Sequence, residues 1–296
     1  MYSASAWMVL VGFTAPAVTK MLPSGEPFER ARSRSRAPLH QRAHPLTTVP
    51  MCHILLLLAA LLAGGCAAHG PRAVVTAADR TAADRALDAG RQPEALLRFI
   101  DVRRGMHVAE LGAGGGYTTE LLARAVGPNG VVYAQNSQLI LDRFAAKPWA
   151  ERLARPAMRN VVRLDRDFDD PLPPEAHDLD RVVIVLFYHD TVWMNVDRRR
   201  MNDAVFRALR LGGLYVVIDH SARPGAGYAE VRTLHRIEEA AVRREVEEAG
   251  FRFARESDFL RNPTDPRDWN DSPSAAGERR GTSDRFALAF VKPEVR

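Results

Sequence analysis

The segment from residue 108 to residue 117 constrains the fold of this chain more than any other. An apolar stretch ends in Glu110, and glycines follow it at alternating positions: Gly112, Gly114 and Gly116. A helical pattern over residues 118–126 comes directly after them. Such a turn lets the backbone approach a ligand closely, because glycine has no Cβ to block the way. The segment therefore predicts a ligand-binding turn in an α/β protein.

The spacing of these glycines differs from the dinucleotide fingerprint. That fingerprint is G-x-G-x-x-G/A, and counted from Gly112 and Gly114 its third position falls on Tyr117. An NAD-dependent oxidoreductase is therefore disfavoured, and a different nucleoside-bearing ligand is favoured.

Strand and helix patterns alternate along the rest of the chain. Six consecutive apolar residues in 182–187 predict a strand buried on both faces, as in a parallel sheet covered by helices. Other predicted strands are 106–111, 131–134, 160–164, 213–218, 251–257 and 286–291, and predicted helices are 82–99 (split at Gly90 and Pro93), 118–126, 139–153, 201–209 and 229–249. No helix-sized pattern separates the last two strands, so they should pair as an antiparallel hairpin. The expected fold is α/β: a Rossmann-like, doubly wound, mostly parallel sheet with helices on both faces.

The N-terminal part of the chain divides into two segments that precede the folded domain. Residues 1–50 mix Pro, Ser and Arg with no apolar period, which predicts a disordered tail or an over-extended gene start upstream of Met51. Residues 51–66 are typical of a signal peptide. Their apolar run is too short to span a bilayer but has the length of a signal-peptide core. We expect one domain over residues 67–296, joined to the leader by a tether over residues 67–80.

The end of the leader predicts where the protein resides. Small residues precede Cys66, as at a bacterial lipoprotein cleavage site, so Cys66 would carry the lipid. The prediction is an exported lipoprotein, anchored in the membrane and facing the periplasm. No cysteine follows Cys66, so the domain itself would form no disulfide. The alternative is a cytoplasmic protein in which the apolar run is a buried helix.

The distribution of charge argues against a nucleic-acid partner. The chain carries a net charge of +5 with a pI near 9.5. Residues 1–50 hold six basic and two acidic residues, a net +4, which leaves only +1 for the rest of the chain. The folded part is nearly neutral and lacks the basic surface expected of a phosphate binder.

The glycine segment resembles a known family. Glu110-x-Gly112-x-Gly114-x-Gly116 is similar to motif I of the class I S-adenosylmethionine-dependent methyltransferases. Residues 133–136, 186–193 and 234–237 resemble a bacterial group of predicted, often exported, methyltransferases, and the resemblance runs from about residue 85 to the C-terminus. It implies S-adenosylmethionine as the cofactor and a methyl acceptor, which we expect to be a small molecule.

The resemblance also implies roles for residues of the glycine turn. The glycine backbone and the N–H groups that open the next helix, at Tyr117 and Thr118, would face the methionine carboxylate of the cofactor. Glu110 would order the turn and reach the methionine amino group, directly or through water.

Two further loops are implied to hold the nucleoside. The family usually places an acid after the second strand to accept from the ribose hydroxyls; here Gln135 and Asn136 take its place, with neutral and weaker acceptors. After the third strand, an aspartate would accept from the adenine amino group. Spacing does not separate Asp165 from Asp167, and Asp165 is preferred.

Candidate catalytic residues follow the fourth strand: Tyr188, His189 and Asp190. Methyl transfer is an in-line displacement, so holding donor and acceptor in position supplies most of the catalysis. His189 titrates in the range required of a general base, and Asp190 or the pair Asp219-His220 could orient or replace it. Tyr188 could wall an aromatic acceptor pocket or belong to the core.

Other chemistries have no motif in this chain. We find no zinc-ligand spacing, P-loop, G-x-S-x-G elbow or catalytic cysteine, so no metal is expected. Two alternatives stay open beside the methyltransferase: a non-catalytic, membrane-tethered binding protein with the same fold, and an NAD-dependent oxidoreductase.

Overall fold

A computed structural model describes residues 70–294, which build a seven-stranded sheet with helices on both faces. The strands are β1 (His107–Leu111), β2 (Val131–Asn136), β3 (Val161–Asp165), β4 (Leu179–Val185), β5 (Leu209–His220), β6 (Arg252–Glu256) and β7 (Arg285–Val291). Their order is β3-β2-β1-β4-β5-β7-β6, with β1 to β5 parallel and β7 antiparallel to β5 and β6. The predicted Rossmann-like sheet with its antiparallel C-terminal pair is confirmed.

The helices cover both faces of this sheet. They are α1 (Pro71–Val75), α2 (Ala82–Arg91), α3 (Pro93–Ile100), α4 (Tyr117–Val126), α5 (Gln138–Ile140), α6 (Ala146–Leu153), α7 (Tyr188–Trp193), α8 (Arg198–Ala208), α9 (Val231–Leu234) and α10 (Glu239–Glu248). The side chain of Thr81 caps α2 by accepting from the Asp84 N–H at 3.0 Å. Pro93 opens α3, a position at which its missing N–H costs nothing. The predicted division of residues 82–99 is confirmed.

The helix predicted over residues 139–153 is interrupted. A π-helical turn, Leu141–Ala145, separates α5 from α6. Pro148 lies in the first turn of α6 and has no N–H to donate to the preceding turn, so a regular helix cannot continue through it.

The long helix predicted over residues 229–249 is wrong. The chain leaves the helical conformation after α9, and His235 adopts a left-handed conformation with φ of 59°. Ile237 then forms a parallel bridge to Ser221: its N–H donates to the His220 carbonyl at 3.0 Å, and its carbonyl accepts from the Ala222 N–H at 2.9 Å. Burial of Ile237 and these two bonds outweigh the local helical preference.

The tether predicted over residues 67–80 is also incorrect at residues 71–75. Residues 71–75 form α1, which packs Val74 into the core. Residues 1–66, with the predicted leader and Cys66, lie outside the described residues, and the export prediction stays a prediction. Among residues 70–294, no helix combines the length and apolar character needed to cross a bilayer.

The topology places a crevice beside β1. From β1, the chain order runs outward to β2 and β3 on one side and to β4 and β5 on the other. Alternate residues of the central strands enter the core on opposite faces: Leu111 lies on one side and Val108 on the other. Ligands of open α/β sheets bind at the carboxyl ends of the strands where this order reverses. The end of β1 is that position.

Candidate functional site

The glycine turn connects the end of β1 to α4 and is open to a ligand at Gly114. A Cβ on Gly116 would lie 2.5 Å from the ring of buried Trp149, so that position is filled from within the protein. A Cβ on Gly114 would have no atom within 4 Å. Gly114 also lines a cavity of the described domain, and no side chain caps the N-terminus of α4. Free helical N–H groups and a bare Cα thus face the same space.

Gln135 and Asn136 support the turn from behind. The Gln135 carbonyl oxygen accepts from the Gly112 N–H at 3.0 Å, and its amide donates to the Arg166 carbonyl at 2.6 Å. Asn136 accepts from the Gly114 N–H at 2.8 Å and donates to the Gly114 carbonyl at 3.1 Å. Both side chains are fully buried, and neither lines the cavity. The geometry therefore makes them positioning residues of the turn and does not present them to a ribose.

Asp165 is likewise away from the cavity. It is exposed at the end of β3, where its carboxylate pairs with Arg163 at 2.8 Å. Neither it nor Asp167 lines the cavity, so the expected adenine contact has no support in this geometry.

Glu110 is a buried carboxyl at the bottom of the cavity. Thr119 donates a hydrogen bond to it, and Arg91 and Arg152 contribute favourable charge. Burial dominates and raises the pKa of Glu110 to about 7. At neutral pH the carboxyl is thus divided between its two protonation states, and a cation placed beside it would favour the ionised state.

Tyr117 and Thr118, at the start of α4, also line the cavity. The Tyr117 hydroxyl donates to Asp88 of α2 at 2.7 Å, and the Arg91 guanidinium lies 4.7 Å from the ring centroid. These contacts hold α2 against the glycine turn, so that Arg91 becomes part of the cavity wall.

The cavity has a volume of about 800 Å³, in the upper part of the range of small-molecule sites. Its walls are the glycine turn, α2, the residues that follow β2 and β4, and a stretch between β6 and β7. That last stretch contributes Asp271, Ser272, Pro273, Ser274, Arg280 and Gly281. The sequence gives no signal for this stretch as part of a site, because a polar segment rich in Pro and Asp is typical of a solvated loop.

A buried cation explains how that stretch is held. The Arg236 guanidinium pairs with Asp265 at 2.8 Å, donates to the Ser221 carbonyl at 3.1 Å, and lies 4.7 Å from the centroid of the Trp269 ring. Both charged side chains are at most 1 % exposed. No local sequence signal links Arg236, which lies in a predicted helix, to Asp265 and Trp269 about 30 residues further along the chain.

His189, the predicted general base, does not line the cavity. Its ring is fully buried, with Nδ1 2.6 Å from Asp219 Oδ1 and Nε2 3.3 Å from Asp190 Oδ1. Burial by itself lowers the pKa of His189, but the carboxylates of Asp219 and Asp190 outweigh it and raise the pKa to about 10. A histidine that is cationic at neutral pH cannot accept a proton, so this geometry does not support His189 as the base.

Tyr188 also points away from the cavity. Its hydroxyl donates to Glu245 at 2.8 Å and accepts from the Asn202 amide at 2.9 Å, and Glu245 is in turn paired with Arg198. The fully buried ring and its polar partners form part of the core beneath α7. Tyr188 is a structural residue in this arrangement.

Asp190 is the predicted catalytic residue that reaches the cavity. Its Oδ1 accepts from Trp193 Nε1 at 2.6 Å, and His235 Nδ1 lies 3.7 Å away. His235 and His220 line the cavity beside it. Burial and the charge at His189 lower the pKa of His235 to about 4. The break between α9 and α10 is what brings His235 here, and a continuous helix would not.

Similarity to known proteins agrees with this architecture. No protein-family model matches the chain. The protein-L-isoaspartate O-methyltransferase of Ignicoccus hospitalis is 28% identical over 124 residues, 41% of this chain and 51% of that protein. The chain thus matches about half the length of this relative. A solved S-adenosylmethionine-dependent methyltransferase from Aquifex aeolicus superimposes with a TM-score of 0.51 and 19% identity, covering 70% of this chain and 94% of that one. The described domain has the Rossmann-like methyltransferase fold.

Proposed function

We propose that this protein is an S-adenosylmethionine-dependent methyltransferase that methylates an oxygen atom of a small-molecule acceptor. The observation that carries the proposal is Gly114, whose bare Cα faces an open cavity at the end of β1 beside the uncapped start of α4. The fold, and the relative named as an O-methyltransferase, support the reaction class and the choice of oxygen.

The methionine end of the donor would lie at the glycine turn. The N–H groups that open α4 and the guanidinium of Arg91 would hold its carboxylate. The carboxylate of Glu110 would face its ammonium group, which compensates the charge of a buried acid. These three contacts match one anionic and one cationic group on the same ligand.

The adenosine end would lie against apolar side chains beyond β2. Leu139, Phe144 and Pro148 line that side of the cavity, and Phe144 is 66% exposed, although it is a large apolar residue. An exposed aromatic ring beside a cavity is suited to stacking on a purine.

The acceptor would enter between α7 and the stretch before β7. Trp193, Asp190 and His235 lie there, at the ends of β4 and β5. The donor would supply a methyl group on a sulfonium. The acceptor hydroxyl would lose its proton to solvent, its oxygen would form the new bond to the methyl carbon, and the donor would leave as a neutral thioether. The chain then contributes mainly by fixing the acceptor in line with that bond and by keeping water out. The cavity volume favours a small molecule over a folded protein surface.

Calorimetric titration of the full chain tests the proposal. We expect S-adenosylmethionine and S-adenosylhomocysteine to bind with one site each, and NAD to give no saturable heat. Binding of NAD instead would support the oxidoreductase alternative and refute the proposal. Binding of S-adenosylmethionine without turnover on any panel of hydroxylated acceptors would favour the non-catalytic binding protein.

Glu110 makes donor binding depend on pH. Its pKa is about 7 in the free protein, and the ammonium of the donor should lower that pKa in the complex. Binding below pH 7 therefore releases up to one proton, and affinity should fall about tenfold per pH unit below 7. Calorimetry at pH 6.5 in buffers of different ionisation enthalpy measures the number of protons released when the donor binds. Glu110→Gln, which keeps the acceptor for Thr119, should remove the release; equal release in both proteins would contradict the assignment.

A further inference from the structure

Three side chains at the edge of the cavity bring metal-ligating atoms together. His189, Asp190 and His235 each offer one such atom, and these atoms lie within 4.8 Å of one another. His189 Nε2 is 3.3 Å from Asp190 Oδ1, and His235 Nδ1 is 3.7 Å from the same oxygen. Two imidazoles and one carboxylate are the ligand set of many catalytic zinc and non-haem iron sites.

An unpartnered nitrogen points into this cluster. His189 Nε2 is fully buried and has no hydrogen-bond partner. A buried polar atom without a partner costs about 1–3 kcal/mol and calls for a ligand. Asp190 Oδ1, 3.3 Å away, forms no hydrogen bond with it, so this nitrogen can take a ligand beside that oxygen.

The other nitrogen of the same ring is held by a carboxylate. His189 Nδ1 lies 2.6 Å from Asp219 Oδ1, and the Asp219 carboxylate also accepts from the backbone N–H of His189 at 2.7 Å and of His220 at 2.8 Å. These bonds fix the ring and hold a proton on Nδ1, so that a metal ion would bind at Nε2 and displace the proton that this nitrogen carries in the cationic ring. A carboxylate behind a histidine in this way is the usual support of a metal ligand.

The spacing of the ligand atoms agrees with a small divalent ion. Ligands at about 2.0–2.1 Å from a tetrahedral metal are about 3.3–3.4 Å apart. The two separations to Asp190 Oδ1, 3.3 and 3.7 Å, are close to this value. Trp193 Nε1, which donates to that same oxygen at 2.6 Å, orients the carboxylate.

We propose that His189, Asp190 and His235 bind a divalent transition-metal ion, for which Zn²⁺ is the appropriate probe. The ion would have three protein ligands and keep its remaining position toward the cavity, because Asp190 and His235 line it while His189 lies behind them. If the proposed function holds, the ion would bind the acceptor oxygen at that position and lower the pKa of the acceptor hydroxyl. The sequence predicted no metal, because His235 lies more than 40 residues after His189 and Asp190 and the three form no local motif.

The test is zinc binding by the full chain after treatment with a chelator, measured by calorimetry, with Co²⁺ absorption as a second measurement. We expect one site that His235→Asn weakens about a hundredfold or more, since even outer-shell partners contribute ten- to a hundredfold. Asparagine tolerates the left-handed backbone of residue 235, so folding should be kept. Asp190→Asn should weaken binding similarly and shift the Co²⁺ bands.

The control is His177→Ala, which removes an exposed histidine beside Asp178 and should leave affinity and spectrum unchanged. Zinc affinity and Co²⁺ spectra that are the same in His235→Asn, Asp190→Asn and the parent would overturn the proposal, as would the absence of a site tighter than millimolar. Metal binding does not require the methyl donor. A chain that binds zinc at these residues but not S-adenosylmethionine would refute only the proposed function.

Discussion

Gly114→Asp should abolish binding of S-adenosylmethionine while the protein stays folded. The new side chain has no clash to resolve, because a Cβ at this position has no neighbour within 4 Å, and it projects into the cavity. It would occupy the place of the methionine carboxylate and repel it. We expect the dissociation constant to rise at least about a hundredfold, equivalent to about 2.7 kcal/mol.

Gly105→Asp is the matched control for this variant. Gly105 has a φ of 80°, against 54° for Gly114, and its Cβ would also have no neighbour within 4 Å, but it lies outside the cavity. In both variants a non-glycine residue adopts a left-handed backbone conformation, which destabilises the fold by about 1–2 kcal/mol, so both should lower Tm to a similar extent. Only Gly114→Asp should lose the calorimetric signal. If the two variants bind the donor equally well, the glycine turn is not the donor site.

The second large effect should come from Arg236. Arg236→Ala leaves Asp265 charged, buried and without its cation, which is among the costliest changes in a protein interior. We expect a loss of about 3 kcal/mol in the free energy of unfolding, near the lower end for such pairs, because Asp265 keeps bonds from the backbone of Arg267 and Asp284. For a domain of this size that corresponds to a fall in Tm of about 6–12 °C.

Urea denaturation followed by circular dichroism measures this loss, with Lys147→Ala as control. Lys147 and Glu151 form an exposed pair on α6 at 3.9 Å, and removing it should leave the free energy of unfolding nearly unchanged. Because Arg236 anchors the stretch before β7, Arg236→Ala should also weaken ligand binding. A change in unfolding free energy no larger than that of Lys147→Ala would show that the buried pair does not hold this stretch.

The sheet could be read from the sequence because its signals are local. The strand of 182–187 is apolar throughout, and the glycine turn has a fixed spacing, so the predicted bounds of β1 and β4 lie within three residues of those in the structure. The end of α4 at Gly127 followed from a local rule as well. These features depend on neighbours in sequence, and a single chain displays them.

Features that depend on distant partners could not be read in this way. Residues 229–249 have a helical pattern, but the burial of Ile237 and its pairing with Ser221 stabilise the fold more than a continuous helix would. Gln135 and Asn136, expected in a loop, are the last two residues of β2, and their amides turn inward to the glycine backbone. His189, in α7, is held by contacts with Asp219, which lies on β5. In each case a contact across the fold outweighs the local preference.

The cavity wall closes where two distant parts of the chain touch through glycine. A Cβ on Gly90, in α2, would lie 3.0 Å from the Cα of Gly281, and both residues line the cavity. The two main chains thus meet with no side chain between them. A larger residue at either position would push the two segments apart, so under the proposed function the rate of product release would depend on residue size at positions 90 and 281, although neither touches the reacting atoms.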